Sequence, residues 1–78
     1  MACFTIEMYN KDDDFYSDSY TCRTEEEARA IAECLSTLIK KDMIVDRYNG
    51  RQEPFDWVEV YKNEMIEGKL IQECILKI

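Results

Sequence analysis

From Ala2 to Tyr9 the chain alternates strictly, with Ala2, Phe4, Ile6 and Met8 on one side and Cys3, Thr5, Glu7 and Tyr9 on the other. Alternation of period two is the pattern of a strand with one buried face, so a strand is predicted here. The polar run Asn10-Lys11-Asp12-Asp13-Asp14 reads as a turn, and Tyr16, Tyr20 and Cys22 then alternate with Ser17, Ser19 and Thr21. A second strand closes an N-terminal hairpin.

The period then changes from two to that of a helix. Thr24 precedes Glu25, Glu26 and Glu27 in the Thr-x-x-Glu spacing of a capping box. In that arrangement the threonine hydroxyl accepts from the third amide and the glutamate reaches back to the cap. Ala28, Ile31, Ala32, Leu35, Leu38 and Ile39 recur every three or four residues, while Glu26, Arg29, Glu33, Thr37 and Lys40 fall on the opposite face. Acids in the first turn and Lys40-Lys41 in the last complement the helix macrodipole, and Glu25 with Arg29 is a favourable pair four residues apart. A helix over residues 25 to 41 follows.

Met43 to Tyr48 is β-branched and aromatic enough for a third strand, ended by the turn dipeptide Asn49-Gly50. Pro54 marks where the next strand can begin. Phe55 to Lys62 carries Phe55, Trp57 and Tyr61 on one side and Val58 and Val60 on the other, the mark of a central strand with both faces covered. Phe4, Phe55 and Trp57 are expected in the core. Over the last fifteen residues, Leu70, Cys74, Leu76 and Ile78 fit a strand face, whereas Leu70, Ile71, Cys74, Ile75 and Ile78 fit a helical stripe. The strand is preferred, with Gly68 as a turn before either element. One amphipathic helix needs one sheet face to receive it, so the pattern predicts an α+β fold: a small, mostly antiparallel sheet in the order ββαββ plus a C-terminal strand or helix.

Seventy-eight residues, 46% of them apolar and only three Gly or Pro, make one globular domain spanning residues 1–78. The four cysteines, Cys3, Cys22, Cys34 and Cys74, would suggest a disulfide framework behind a signal peptide. The start Met-Ala-Cys-Phe-Thr-Ile-Glu is not such a leader, and no apolar run approaches a membrane span, so a cytoplasmic protein with reduced thiols, most of them packed as small hydrophobes, is expected.

Little in the chain points to catalysis or to a cofactor. With no histidine, a nucleophilic triad lacks its usual base, and Gly50 and Gly68 stand too far apart to build a phosphate-cradling loop. Cysteines without a Cys-x-x-Cys pair, in a chain lacking histidine, do not supply the closely spaced ligands of a structural zinc site. A calcium loop begun at Asp14 would place Asp18 fifth and Glu25 twelfth, but Tyr16 falls where a ligand belongs and Ser19 where the turn glycine belongs. A solvated acidic turn is the better reading. No catalytic residue, cofactor or metal is assigned.

Charge is the more informative property. Seventeen acids against ten bases give a formal charge of −7. Residues 1–27 hold eight acids and two bases (−6), and residues 28–78 hold nine acids and eight bases (−1). Such a chain repels phosphate backbones and anionic membranes, which leaves a protein partner with a basic surface. Tyr9, Asp12, Asp13, Asp14, Tyr16, Asp18 and Tyr20 are the candidate partner-binding residues, because phenol rings beside carboxylates give contact area at low entropic cost.

In size, acidity and want of catalytic motifs the chain resembles the small phage-encoded inhibitors of bacterial defence, anti-CRISPR proteins among them, with Asp12 to Asp14 and Glu25 to Glu27 as the acidic stretches that carry the likeness. The resemblance implies a non-enzymatic inhibitor that occludes a nucleic-acid-binding surface; no motif is shared, so no functional residue follows from it. A rival reading is a homodimeric assembly module, since Phe55 to Tyr61 and Leu70 to Ile78 hold more apolar side chains than one helix can cover.

Overall fold

The computed structural model describes residues 2–10, 15–41, 45–48 and 51–78, with side chains for residues 2–10, 20–41 and 55–78. Among these residues six strands and one helix follow in the order β1 (Ala2–Asn10), β2 (Phe15–Cys22), α1 (Glu25–Lys40), β3 (Val45–Tyr48), β4 (Arg51–Pro54), β5 (Trp57–Ile66) and β6 (Lys69–Lys77). The main sheet has the order β2-β1-β5-β6 with every neighbour antiparallel, and α1 packs on one of its faces. The fold is therefore α+β, with the C-terminal segment a strand.

Helix α1 begins as its sequence dictates. The Thr24 hydroxyl oxygen accepts from the Glu27 amide at 3.2 Å, a cap of the kind that contributes about 1 kcal/mol. The same hydroxyl donates to the Glu27 carboxylate at 2.8 Å, where a capping box places the Thr24 amide as donor. Arg29 reaches Glu25 at 2.8 Å; both side chains stand largely in water, so the pair adds only a few tenths of a kcal/mol by the usual yield of such helical pairs. Lys41 caps the other end, its amide bonded to the Thr37 carbonyl at 3.2 Å.

The core fills the layer between α1 and the sheet. Phe4, Ile6 and Met8 of β1 and Val58 and Val60 of β5 meet Ala28, Ala32 and Leu35 of the helix, with Cys22 and Phe55 at the margins. Ala28 and Ala32 are wholly buried, and having no side chain beyond Cβ they let the helix backbone approach β1 and β5 closely. Phe55 lies just before β5 rather than in it, yet is buried.

Three expectations change. The segment 45–48 does not join the main sheet; it pairs with β4, Val45 opposite Pro54 and Tyr48 opposite Arg51, in a separate two-stranded ladder. Strand β5 has β1 on one edge and β6 on the other, so neither of its edges is left for β3. The C-terminal strand is not one continuous face, because between the pairs Tyr61–Cys74 and Val60–Leu76 it holds an extra residue, Ile75. This bulge reverses the alternation, so Leu70, Gln72 and Cys74 stand on the face away from the helix while Leu76 turns to the core side. Of the cysteines only Cys22 is buried; Cys3, Cys34 and Cys74 are exposed, and all four are free thiols. Cys3 and Cys74 lie on the sheet face that the helix does not cover, which is why apolar packing does not enclose them.

Candidate functional site

The sheet face opposite α1 is built from the odd-numbered positions of β1 and β5 and from the positions of β6 aligned with them. Register sets these residues in rows. Tyr9 and Trp57 share the first row, Glu7 and Glu59 with Lys77 the second, Thr21, Thr5 and Tyr61 with Cys74 the third, and Cys3 and Asn63 with Gln72 the fourth. β1 contributes the polar half of its alternation here because its apolar half is consumed by the core.

In the first row the rings of Tyr9 and Trp57 are stacked, 5.4 Å between centroids and 3° from parallel. The Lys77 ammonium lies 4.9 Å from the Trp57 ring centroid, so the indole receives a phenol from the strand on one side and a cation from the strand on the other. The side chain of Trp57 is thus half-buried on this face and not part of the core, because its odd position on β5 opposes that of Val58 and Val60.

The second row sets two carboxylates directly across from each other, an arrangement that costs energy unless donors surround it. They do. Glu7 accepts from the Tyr9 hydroxyl at 2.6 Å. Glu59 accepts from the Trp57 indole N–H at 2.6 Å, from the Tyr61 hydroxyl, and from the Cys74 thiol at 3.9 Å. Burial works against the charge of Glu59, but the Tyr61 and Trp57 bonds, the charge of Lys77 and the Cys74 thiol outweigh it and hold its carboxyl below the usual range. Glu59 is therefore a fixed anion at neutral pH rather than a proton donor.

The two phenols shift in the opposite sense. Burial, then the bonds to Glu7 and Tyr61, push the Tyr9 hydroxyl far up, and the Tyr61 hydroxyl is raised chiefly by its bond to Glu59. Below these rows Asn63, though buried, is satisfied: it donates to Thr5 at 3.1 Å and accepts from Gln72 at 2.7 Å. Glu7, Tyr9, Tyr61 and Gln72 enclose a shallow depression of about 270 Å³ with a mostly polar lining.

Each phenol is harder to deprotonate folded than unfolded, so its contribution to stability is complete below the unfolded value near 10 and is lost as pH rises above it. The urea midpoint should fall between about pH 10 and 12, and Tyr9→Phe should fall less steeply over that interval. Equal slopes in the two proteins would show that Tyr9 is not linked to folding.

The structure distributes the sequence-derived candidates unevenly. Tyr9 belongs to the face just described. Tyr16 is its register partner on β2, and Asp18 lies in the same strand, but the side chains of both fall outside the described residues, as do Asp12, Asp13 and Asp14 altogether. Tyr20 pairs with Ile6 and so stands on the helix side of the sheet, 51% exposed. Tyr9 and Tyr20 therefore do not share a surface. Glu7, Trp57, Glu59, Tyr61, Gln72 and Lys77 are not among the candidates; the alternation of β1 and β5 signals the first four without showing that the two faces adjoin, and the bulge in β6 hides Gln72 and Lys77 from any such pattern.

Among the described residues no three metal-ligating side chains converge, and no helix is long and apolar enough to cross a membrane. No protein-family model, curated protein or solved structure matches the chain.

Proposed function

We propose that this is a non-enzymatic interaction protein that docks on a basic surface of a protein partner and occludes it, the surface being one the partner uses for nucleic acid, as anti-CRISPR inhibitors do. The observation that carries this reading is the sheet face without a helix: Glu7 and Glu59 opposed across two strands, beside the Tyr9–Trp57 stack and a polar depression. Anions held in place by phenol and indole donors lose little entropy on meeting a guanidinium or ammonium group, and aromatic rings beside them supply apolar contact. The depression has polar groups suited to such a head group: the Glu7 carboxylate, two hydroxyls and the Gln72 amide. The surrounding charge extends the attraction, since six of the seven excess negative charges lie in residues 1–27, the hairpin and the first helical turn.

The test is affinity capture from the source cell with the wild-type chain and with Asp12, Asp13, Asp14 and Asp18 all changed to Asn, each at low and high salt. The wild type should retain a nucleic-acid-binding protein that salt or added nucleic acid releases, and the variant should retain much less of it while melting at the same temperature. Glu7→Gln, which removes one of the two opposed carboxylates, should lower recovery as well, and recovery of the same proteins by all three chains with equal salt sensitivity would refute the reading.

A further inference from the structure

The strand β6 ends the main sheet, and nothing pairs with its outer edge among the described residues. Its hairpin with β5 projects past β1, whose ladder on β5 stops at Glu64. The far end carries Met65 and Leu70 on one face and Ile66 and Ile71 on the other, exposed by 59%, 59%, 48% and 47%. A long free edge flanked by exposed aliphatics is a template for another strand. We propose that the occupant is a second copy of this chain, its β6 paired antiparallel with the first across a two-fold axis at Ile71.

The register follows from backbone parity and charge. Glu67 and Gly68, both at positive φ (51° and 78°), form a two-residue turn closed by Ile66 and Lys69. In such a hairpin the closing pair exchanges hydrogen bonds, so Lys69, Ile71 and Glu73 turn their amides toward β5, and Leu70, Gln72 and Cys74 offer theirs to the outside. A two-fold axis at Ile71 puts Leu70 opposite Gln72 of the second copy as the pair that exchanges bonds. Ile71 then faces its own counterpart at a non-bonded position, where side chains approach most closely.

The same register sets Lys69 opposite Glu73 of the second copy, and Glu73 opposite Lys69 of the second copy. Both side chains are exposed, and neither has an ion-pair partner among the described residues. Neighbouring registers lose this complementarity. Centring on Glu73 opposes Glu73 to itself and Lys69 to Lys77, and centring on Gln72 opposes Ile71 to Glu73 with no ion pair. The charges of β6, basic at Lys69, acidic at Glu73 and basic at Lys77, thus select one self-pairing. The product is a continuous eight-stranded sheet with both helices on one side and both helix-free faces on the other. This self-pairing uses the β5–β6 hairpin and not the Glu7–Glu59 face, so it forms without a partner protein.

Sedimentation of the full chain decides it, using wild type, Lys69→Glu, Glu73→Lys and the double reversal. The wild type should be a dimer at about 100 μM, each single reversal should weaken it roughly tenfold or more, and the double reversal should restore it. A wild-type monomer at that concentration overturns the proposal. A dimer indifferent to the reversals, or one that the double reversal does not restore, overturns it as well by assigning the interface to another surface. Should a reversal disturb folding, Ile71→Cys in a chain with Cys3, Cys34 and Cys74 changed to Ser keeps the question open to decision. Non-bonded partners lie about 4.5 Å apart at Cα, within disulfide reach, so that variant should crosslink to a dimer on oxidation, and failure to do so counts against the register.

Discussion

Truncating Ile6 to alanine should cost about 2–5 kcal/mol of folding free energy, the usual result of emptying a fully enclosed aliphatic site. Ile6 is 1% exposed and lies at the centre of β1, with Val60 of β5 opposite it on one side and Tyr20 of β2 on the other in register. Its neighbours are poorly placed to collapse into the gap: Ala28 and Ala32 have no atoms to extend, and the β5 backbone is held by two ladders. In so small a domain the core is thin, and a loss of this size is a large fraction of total stability. Thermal or urea unfolding followed by circular dichroism measures it. Ile6→Val should cost about 0.5–1.5 kcal/mol, and a similar cost for both variants would show that the site can close around the cavity.

Glu59→Ala should cost about 2–3 kcal/mol although Glu59 is only half-buried, because it removes the acceptor of two strong donors at once. The Trp57 indole N–H and the Tyr61 hydroxyl would then depend on water, and Lys77 would lose the anion it faces across the β5–β6 ladder. Trp57 is the single tryptophan, so its fluorescence reports the same site directly. The pH dependence supplies an independent check. The folded carboxyl titrates below its ordinary value of 4.5, so its contribution is present above that value and is lost as pH falls through the folded one. Glu59→Ala should accordingly flatten the acid limb of the stability curve below about pH 4.5. Glu59→Gln, which keeps acceptor capacity without the charge, should fall between the two at neutral pH. If alanine and wild type show the same acid limb, the hydrogen bonds do not stabilise the charged form.

These two sites also mark how far local sequence could be read. The alternation of Ala2 to Tyr9 placed Ile6 on an apolar face and Glu7 and Tyr9 on a polar one, and both assignments hold in β1. Thr24 and the acids after it located the start of α1, and the apolar stripe from Ala28 identified the face that meets the sheet. Phe55 to Lys62, apolar on both faces, pointed to a central strand, and β5 lies between β1 and β6. The Glu59 site was not legible because its parts come from both edges of that strand: Glu7 and Tyr9 from β1, Cys74 and Lys77 from β6. No local pattern joins residues more than forty positions apart.

What the chain determines alone is whatever a few consecutive residues settle by their own physics. Capping chemistry starts the helix, a period of 3.6 orients it, and a period of two gives each strand an apolar and a polar side. Tertiary structure decided which edges meet. The pairing of β1 with β5 puts two polar-aromatic faces side by side, and the extra residue at Ile75 moves Leu70 and Cys74 to the side opposite Leu76. Such choices are set by competition among strand edges for a limited number of partners, and that competition is settled by the whole assembly of the sheet under one helix.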